Sequence, residues 1–276
     1  MYPIGVSSCA FALTEERFVE LQRSGVEAIE ISMRLEEHKL LNCREVASLA
    51  KRYGIRLWSY HLPFLPFREI DPSSTDADVR RGTLALFGEL IKNAADVGIE
   101  KFVIHPSGEP IAPENREERF LYAMQTLDLL AELAHREGAV IAVEDLPRTC
   151  LGNCSDEILR LLSANDKLRV CFDTNHLLNE KNEDFVKKIG KKIITLHVSD
   201  YDFVDEKHWL PGEGLVDWQK LLSLLQQTDY RGVWMYELGR KSPKTLTRCR
   251  DLTFEDYVRN AKEIFLGKDL TRIDQI

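Results

Sequence analysis

The sequence predicts a single (β/α)8 barrel of the TIM type, one domain over residues 1–276. Three observations carry this reading. Eight apolar runs of strand length recur along the chain, amphipathic charge-rich stretches separate them, and glycines stand where several of those stretches end. Runs this apolar are expected to be buried on both faces, as in a parallel sheet. Eight strand units alternating with helices favour a closed barrel over an open doubly wound sheet. No glycine-rich fingerprint follows the first run, which argues further against a dinucleotide-binding sheet.

The strand candidates, in order, are IGVSSCA (4–10), AIEISM (28–33), RLWSYHLP (56–63) and KFVIHPS (101–107), then VIAVEDL (140–146), LRVCFDTNH (168–176), IITLHVSD (193–200) and VWMYEL (233–238). Helices are expected from EERFVELQRSG, REVASLAKRYG, ADVRRGTLALFGELIKNAADVG and REERFLYAMQTLDLLAELAHREG. Gly25, Gly54, Gly98, Gly138, Gly190 and Gly232 precede the next strand, as helix C-caps feeding short loops would. No linker or composition break divides the chain.

Composition narrows the partners. A net charge of −8 argues against broad capture of nucleic acid or an anionic membrane. No apolar run approaches the roughly 18–20 residues of a membrane span. The start, MYPIGVSSCAFALTEE, has no basic segment and runs straight into a strand, so no secretory leader is expected. The six cysteines, including the CLGNC pair Cys150 and Cys154, match neither a disulfide framework nor a zinc ribbon. They are expected as free thiols in a reducing cytoplasm.

In such a barrel the chemistry sits at the C-terminal ends of the strands. Those positions carry Glu30, His61, His105, Glu144, Asp173 with His176, His197 and Glu237. Five of the seven histidines lie on or just beyond strand ends, with His208 the fifth; His38 and His135 are expected to be structural or at the surface. Glu144, Asp173, His197 and Glu237 come one each from strands five to eight, so closing the barrel gathers them around one point. Three carboxylates and an imidazole form a hard site suited to one divalent ion, Mn²⁺, Mg²⁺, Co²⁺ or Zn²⁺. Without a cation their three negative charges would repel one another.

The segments VEDLP (143–147), CFDTNH (171–176), LHVSD (196–200), HWLPGEGLVDW (208–218) and YEL (236–238) make the chain resemble the xylose isomerase-like TIM-barrel superfamily, in particular its sugar isomerase/epimerase and inosose isomerase/dehydratase branch. The resemblance implies that Glu144, Asp173, His197 and Glu237 hold one metal. It also implies that Glu144 and Glu237 are the catalytic pair, moving a proton through a metal-stabilised enediolate. The substrate expected is a small sugar or polyol-derived ketone, with a homo-oligomer left open. An inosose dehydratase-type lyase would use the same proton abstraction and expel a β-hydroxyl.

His61, His105, His176 and His208 are then expected to bind substrate, and Glu30 either to contact it or to brace a ligand. Trp58, Phe64, Phe67 and Trp209 are read as an apolar wall or as core, and Asp217 with Trp218 as structural. Arg240, Lys241 and Lys244 follow the last strand, either as a phosphate or carboxylate site or as a solvated loop. The same superfamily includes endonuclease IV, a trinuclear zinc enzyme of abasic DNA. Its additional ligands resemble His61, His105, His176 and the pair Glu206 and His208, with Glu where that enzyme has Asp. FDTNHLLNEKNED and the acidic balance argue for the sugar enzyme.

Overall fold

Each apolar run becomes a short parallel strand: β1 (Ile4–Ser7), β2 (Ala28–Ile31), β3 (Arg56–His61), β4 (Lys101–Ile104), β5 (Val140–Glu144), β6 (Arg169–Asp173), β7 (Ile193–His197) and β8 (Trp234–Tyr236). The computed structural model describes residues 1–273; residues 274–276, inside the expected domain span, lie outside the described residues. The hydrogen-bonded order is β7-β6-β5-β4-β3-β2-β1-β8, parallel throughout. No ladder joins β7 to β8 among the described residues. Their seam closes at its top, where Val198 N donates to Met235 O (2.7 Å) and Glu237 N to Val198 O (3.2 Å). The expected (β/α)8 barrel is therefore present.

The helices are α1 (Glu15–Ser24), α2 (Leu35–His38), α3 (Cys43–Tyr53), α4 (Ala77–Ala95), α5 (Arg116–Arg136), α6 (Ser155–Leu162), α7 (Asn182–Ile189), α8 (Trp218–Gln227) and α9 (Phe254–Phe265). Their apolar faces bury Phe18, Phe87, Phe120, Phe185, Leu221 and Phe254 against the outside of the barrel. Gly25 and Gly54 end α1 and α3 in the left-handed conformation, as expected of C-caps. Gly232 does not play that part. α8 ends at Gln227, and a Cβ at Gly232 would collide with the ring of Tyr230, whose hydroxyl donates to Val233 O (2.8 Å).

All eight strands end earlier than their apolar runs. In three of them Ser8–Ala10, Thr174–His176 and Val198–Asp200 run on past the strand and turn over the rim, Val198 keeping a single bridge to Tyr236. Two open alternatives, one aromatic and one imidazole, both fall to the structural side. Trp58 does not wall the rim: it lies near the opposite end, with Arg56 and Lys101 over its ring and its Nε1 donating to Thr195 Oγ1 (3.0 Å). His38 takes the structural alternative, buried with its Nδ1 2.7 Å from the Tyr60 hydroxyl. All six cysteines are free thiols.

Candidate active site

Side chains alternate along a strand, so only every second one faces the barrel interior. That alternation turns Glu144, Asp173 and His197 inward, and each is fully buried. Glu237 follows β8 by one residue and reaches the same point. His197 Nδ1 stands 2.9 Å from Glu144 Oε1, 3.2 Å from Glu237 Oε2 and 3.8 Å from Asp173 Oδ2. Ligand-type atoms of these four residues all lie within 4.8 Å of one another. Asp173 Oδ1 accepts from Asn175 N (2.7 Å), whereas its Oδ2 is buried with no hydrogen-bond partner. Three carboxylates around one ring nitrogen, one with an orphaned oxygen, are the donor set a divalent cation requires.

Glu30 lies behind this group, not in front of it. It is buried, accepts from Ser59 Oγ (2.8 Å), and meets His197 Nε2 at 3.0 and 3.1 Å. A hydrogen on Nε2 would turn the Nδ1 lone pair toward the three carboxylates.

A cavity of about 410 Å³ opens above, lined by His61, His105, His176, His208 and Glu237 together with Phe64 and Phe67. His61 and His105 present Nε2 to Glu144 Oε2 at 3.1 and 3.2 Å. His176 Nδ1 is 2.8 Å from Asp145 O, and His208 Nδ1 is 3.1 Å from Glu237 O. A carbonyl only accepts, so both rings carry hydrogen on Nδ1 and turn Nε2 inward. A larger groove of about 1150 Å³ lies beside the cavity, along the loops after β1, β2 and β3. It holds none of the four converging residues, so the chemistry belongs to the smaller space. Trp209 does not reach the cavity; its Nε1 donates to Thr245 Oγ1 (3.0 Å).

The electrostatics reflect the crowding. Burial, then the Glu144 charge, raises the Asp173 carboxyl to about 6. Burial raises Glu237 too, only partly opposed by His197. Burial alone would raise Glu144, but the His197 and His105 imidazoles outweigh it and hold it well below the usual carboxylate range.

Two parts of the surroundings were not legible in the sequence. Asp145 sits behind Asp173, accepting from its backbone N (2.8 Å), while its Oδ2 is buried without a partner. Arg148 lines the cavity from the loop after β5 and binds Glu109, Asp205 and Glu206. The second acid of VEDL was a signal for Asp145; nothing local marks Arg148. Arg240 donates to Leu252 O (2.9 Å) and pairs with Glu20 (3.0 Å), and neither it nor Lys241 nor Lys244 lines the cavity.

The loop after β7 is fastened independently. Asp200 accepts from Tyr201 N, Gly212 N, Val216 N and Trp218 Nε1 at 2.8–3.1 Å. A Cβ at Gly214 would strike the Asp200 carboxylate, which is why a glycine stands there. Glu213 and Arg248 form a buried bidentate pair (2.7 and 2.8 Å). Asp217 caps α8 by accepting from Lys220 N (3.0 Å).

A family model described as xylose isomerase-like TIM barrel matches residues 18–254. An inosose isomerase of Bacillus velezensis is 23% identical over 257 residues, 88% of this chain and 87% of that protein. A probable endonuclease 4 of Trichlorobacter lovleyi is 30% identical over 112 residues, 39% of each chain. A solved D-tagatose 3-epimerase-like protein superposes with a TM-score of 0.80 at 23% identity, covering 96% of this chain and 97% of that one. At that identity the structural likeness speaks for the fold.

Proposed function

The chain belongs to the xylose isomerase-like TIM-barrel family, and from that premise we propose that it is a divalent-metal-dependent isomerase or epimerase of a neutral sugar or polyol-derived ketone. One observation carries the reading: Glu144 and Glu237 flank His197 Nδ1 at 2.9 and 3.2 Å, with the orphaned Asp173 Oδ2 beside them. Glu144, Asp173, His197 and Glu237 would hold the cation. When bound, it supplies Lewis-acid polarisation of a carbonyl and offsets the three carboxylate charges.

The protein's own part is proton transfer. One of the two glutamates takes the hydrogen from the carbon beside the carbonyl, and the C–H electron pair becomes the double bond of an enediolate. The other glutamate returns a proton, to the opposite face of that carbon for epimerisation or to the neighbouring carbon for aldose–ketose exchange. His61, His105, His176 and His208 are placed to bind substrate hydroxyls. Phe64 and Phe67 offer an apolar wall, and Glu30 orients His197 from behind. Arg148 is already engaged by three carboxylates, so the cavity has no spare guanidinium for phosphate or carboxylate. That supports a neutral substrate.

The test is exchange of substrate carbon-bound hydrogen with D₂O across a panel of free ketoses, aldoses and inososes. Wild type is expected to catalyse it with at least one member, and Glu144→Gln to lose it. Exchange at the wild-type rate in that variant would sink the two-glutamate mechanism.

A second reading has its own support. His61, His105 and Glu144 form one further ligand-type group, and His176, Glu206 and His208 another. Together they match a trinuclear nuclease acting at abasic sites. Three tightly bound metals per chain and cleavage of abasic DNA would favour it; one metal and no cleavage favour the sugar enzyme.

A further inference from the structure

The triad His176, Glu206 and His208 raises a question of its own. Both imidazoles set Nδ1 against a carbonyl and so turn Nε2 toward the triad, where His176 Nε2 is 3.4 Å from Glu206 Oε2 and 3.6 Å from Asp173 Oδ2. Two neutral imidazoles and a carboxylate are a competent zinc set. Something must decide whether the chain uses it.

Arg148 is the residue in position to do so. Its backbone takes a left-handed φ of 53°, and Asn153 Nδ2 holds its carbonyl (2.9 Å). From there the guanidinium meets Glu109 at 2.6 Å, Asp205 at 2.9 Å and Glu206 Oε1 at 3.2 Å. One fixed positive charge thus spans the loops after β4, β5 and β7. It binds the second oxygen of the very carboxylate that faces His176. A guanidinium is permanently charged and cannot be titrated away. A dication on the triad would have to share Glu206 with it and sit within a few ångströms of its charge, where like charges repel strongly.

We propose that Arg148 keeps this chain mononuclear: its guanidinium is the built-in cation of the His176–Glu206–His208 triad and excludes a second metal. The inference rests on the one-metal reading above. It assigns Arg148 a positioning role, acting on metal occupancy through Glu206 and not on the reacting atoms.

The experiment is a Zn²⁺ and Co²⁺ titration of the metal-stripped full chain, with bound metal counted after desalting. Wild type should take one equivalent tightly and bind a second at least a hundredfold more weakly. In Arg148→Met the second equivalent should tighten at least tenfold, with a second Co²⁺ absorption band. The double variant Arg148→Met with Glu206→Gln should lose that gain, and Arg148→Lys should stay near wild type because it keeps the charge. A second equivalent no tighter in folded Arg148→Met than in wild type overturns the proposal. So does wild type holding a second metal as tightly as the first, an arm that needs no variant to fold. Wild type binding no metal at all would instead remove the one-metal reading beneath it.

Discussion

Two regions at the C-terminal rim of the barrel both bury acids and use them oppositely. In the loop after β7, Asp200 accepts four hydrogen bonds and Glu213 is locked to Arg248 with a further bond from Leu210 N. At the strand ends, Asp173 and Asp145 each keep a buried oxygen with no partner, and Glu144, Asp173 and Glu237 crowd one imidazole nitrogen. Burying a carboxylate is costly unless its oxygens are satisfied. The loop acids are satisfied by protein and hold a shape. At the strand ends the imidazoles meet Glu144, but Asp173 keeps an oxygen unmatched, and there the proposed cation would bind.

That contrast is open to attack from both sides. The largest effect should come from Glu144→Gln, which removes one of the two proposed proton carriers: turnover on the substrate found in the exchange screen should fall about a thousandfold. Its melting temperature should fall only a little, because Gln keeps a polar side chain facing His61, His105 and His197 and loses both their attraction and the repulsion from Asp173 and Glu237. An equal loss of stability would erase the distinction. Glu213→Ala should behave in reverse. It strands the buried Arg248 guanidinium, costing about 3–5 kcal/mol in denaturant unfolding.

Metal sharpens the comparison further. Mn²⁺ or Zn²⁺ at a hundred times its Kd should raise wild-type stability by about 2.7 kcal/mol in thermal or denaturant melts, and a chelator should reverse it. Asp173→Asn should abolish that increment. A metal response surviving intact in Asp173→Asn would show that the unsatisfied oxygen is not what the ion needs.

The smallest effect lies outside both regions. Burial, then the His61 charge, pushes the His38 imidazole down from 6.5 to about 4. Between those values the unfolded chain takes up a proton that the folded chain refuses, so stability should fall as pH drops through that window. His38→Gln should flatten that part of the stability curve, leaving the acid-sensitive remainder to the carboxylates.

The barrel was legible because double-sided burial leaves long apolar runs, and the four converging residues because each ends one such run. Strand ends were overestimated at Thr174–His176 and Val198–Asp200, where no glycine or proline marks the end of the run. Trp58 was open between wall and core; its place early in a strand of this parallel barrel sets it at the end away from the rim. Asp200 was visible as an acid but not as the hub of its loop, since three of its four donors come from residues 212–218 folding back. Arg148 was invisible for a similar reason: its partners arrive from residues 109, 205 and 206, and only the closed barrel brings them together.

The seam between β7 and β8 has one more consequence. Among the described residues its backbone is stitched at the rim alone, through Val198, so the cylinder's weakest line runs toward the far end, beneath Thr195 and Trp58. Breathing of the native state should begin there. In amide hydrogen exchange the lower edges of β7 and β8 should give up their protons first, and Val198 and Glu237 last. The molecule would then admit solvent from its floor while the carboxylate ring stays shut.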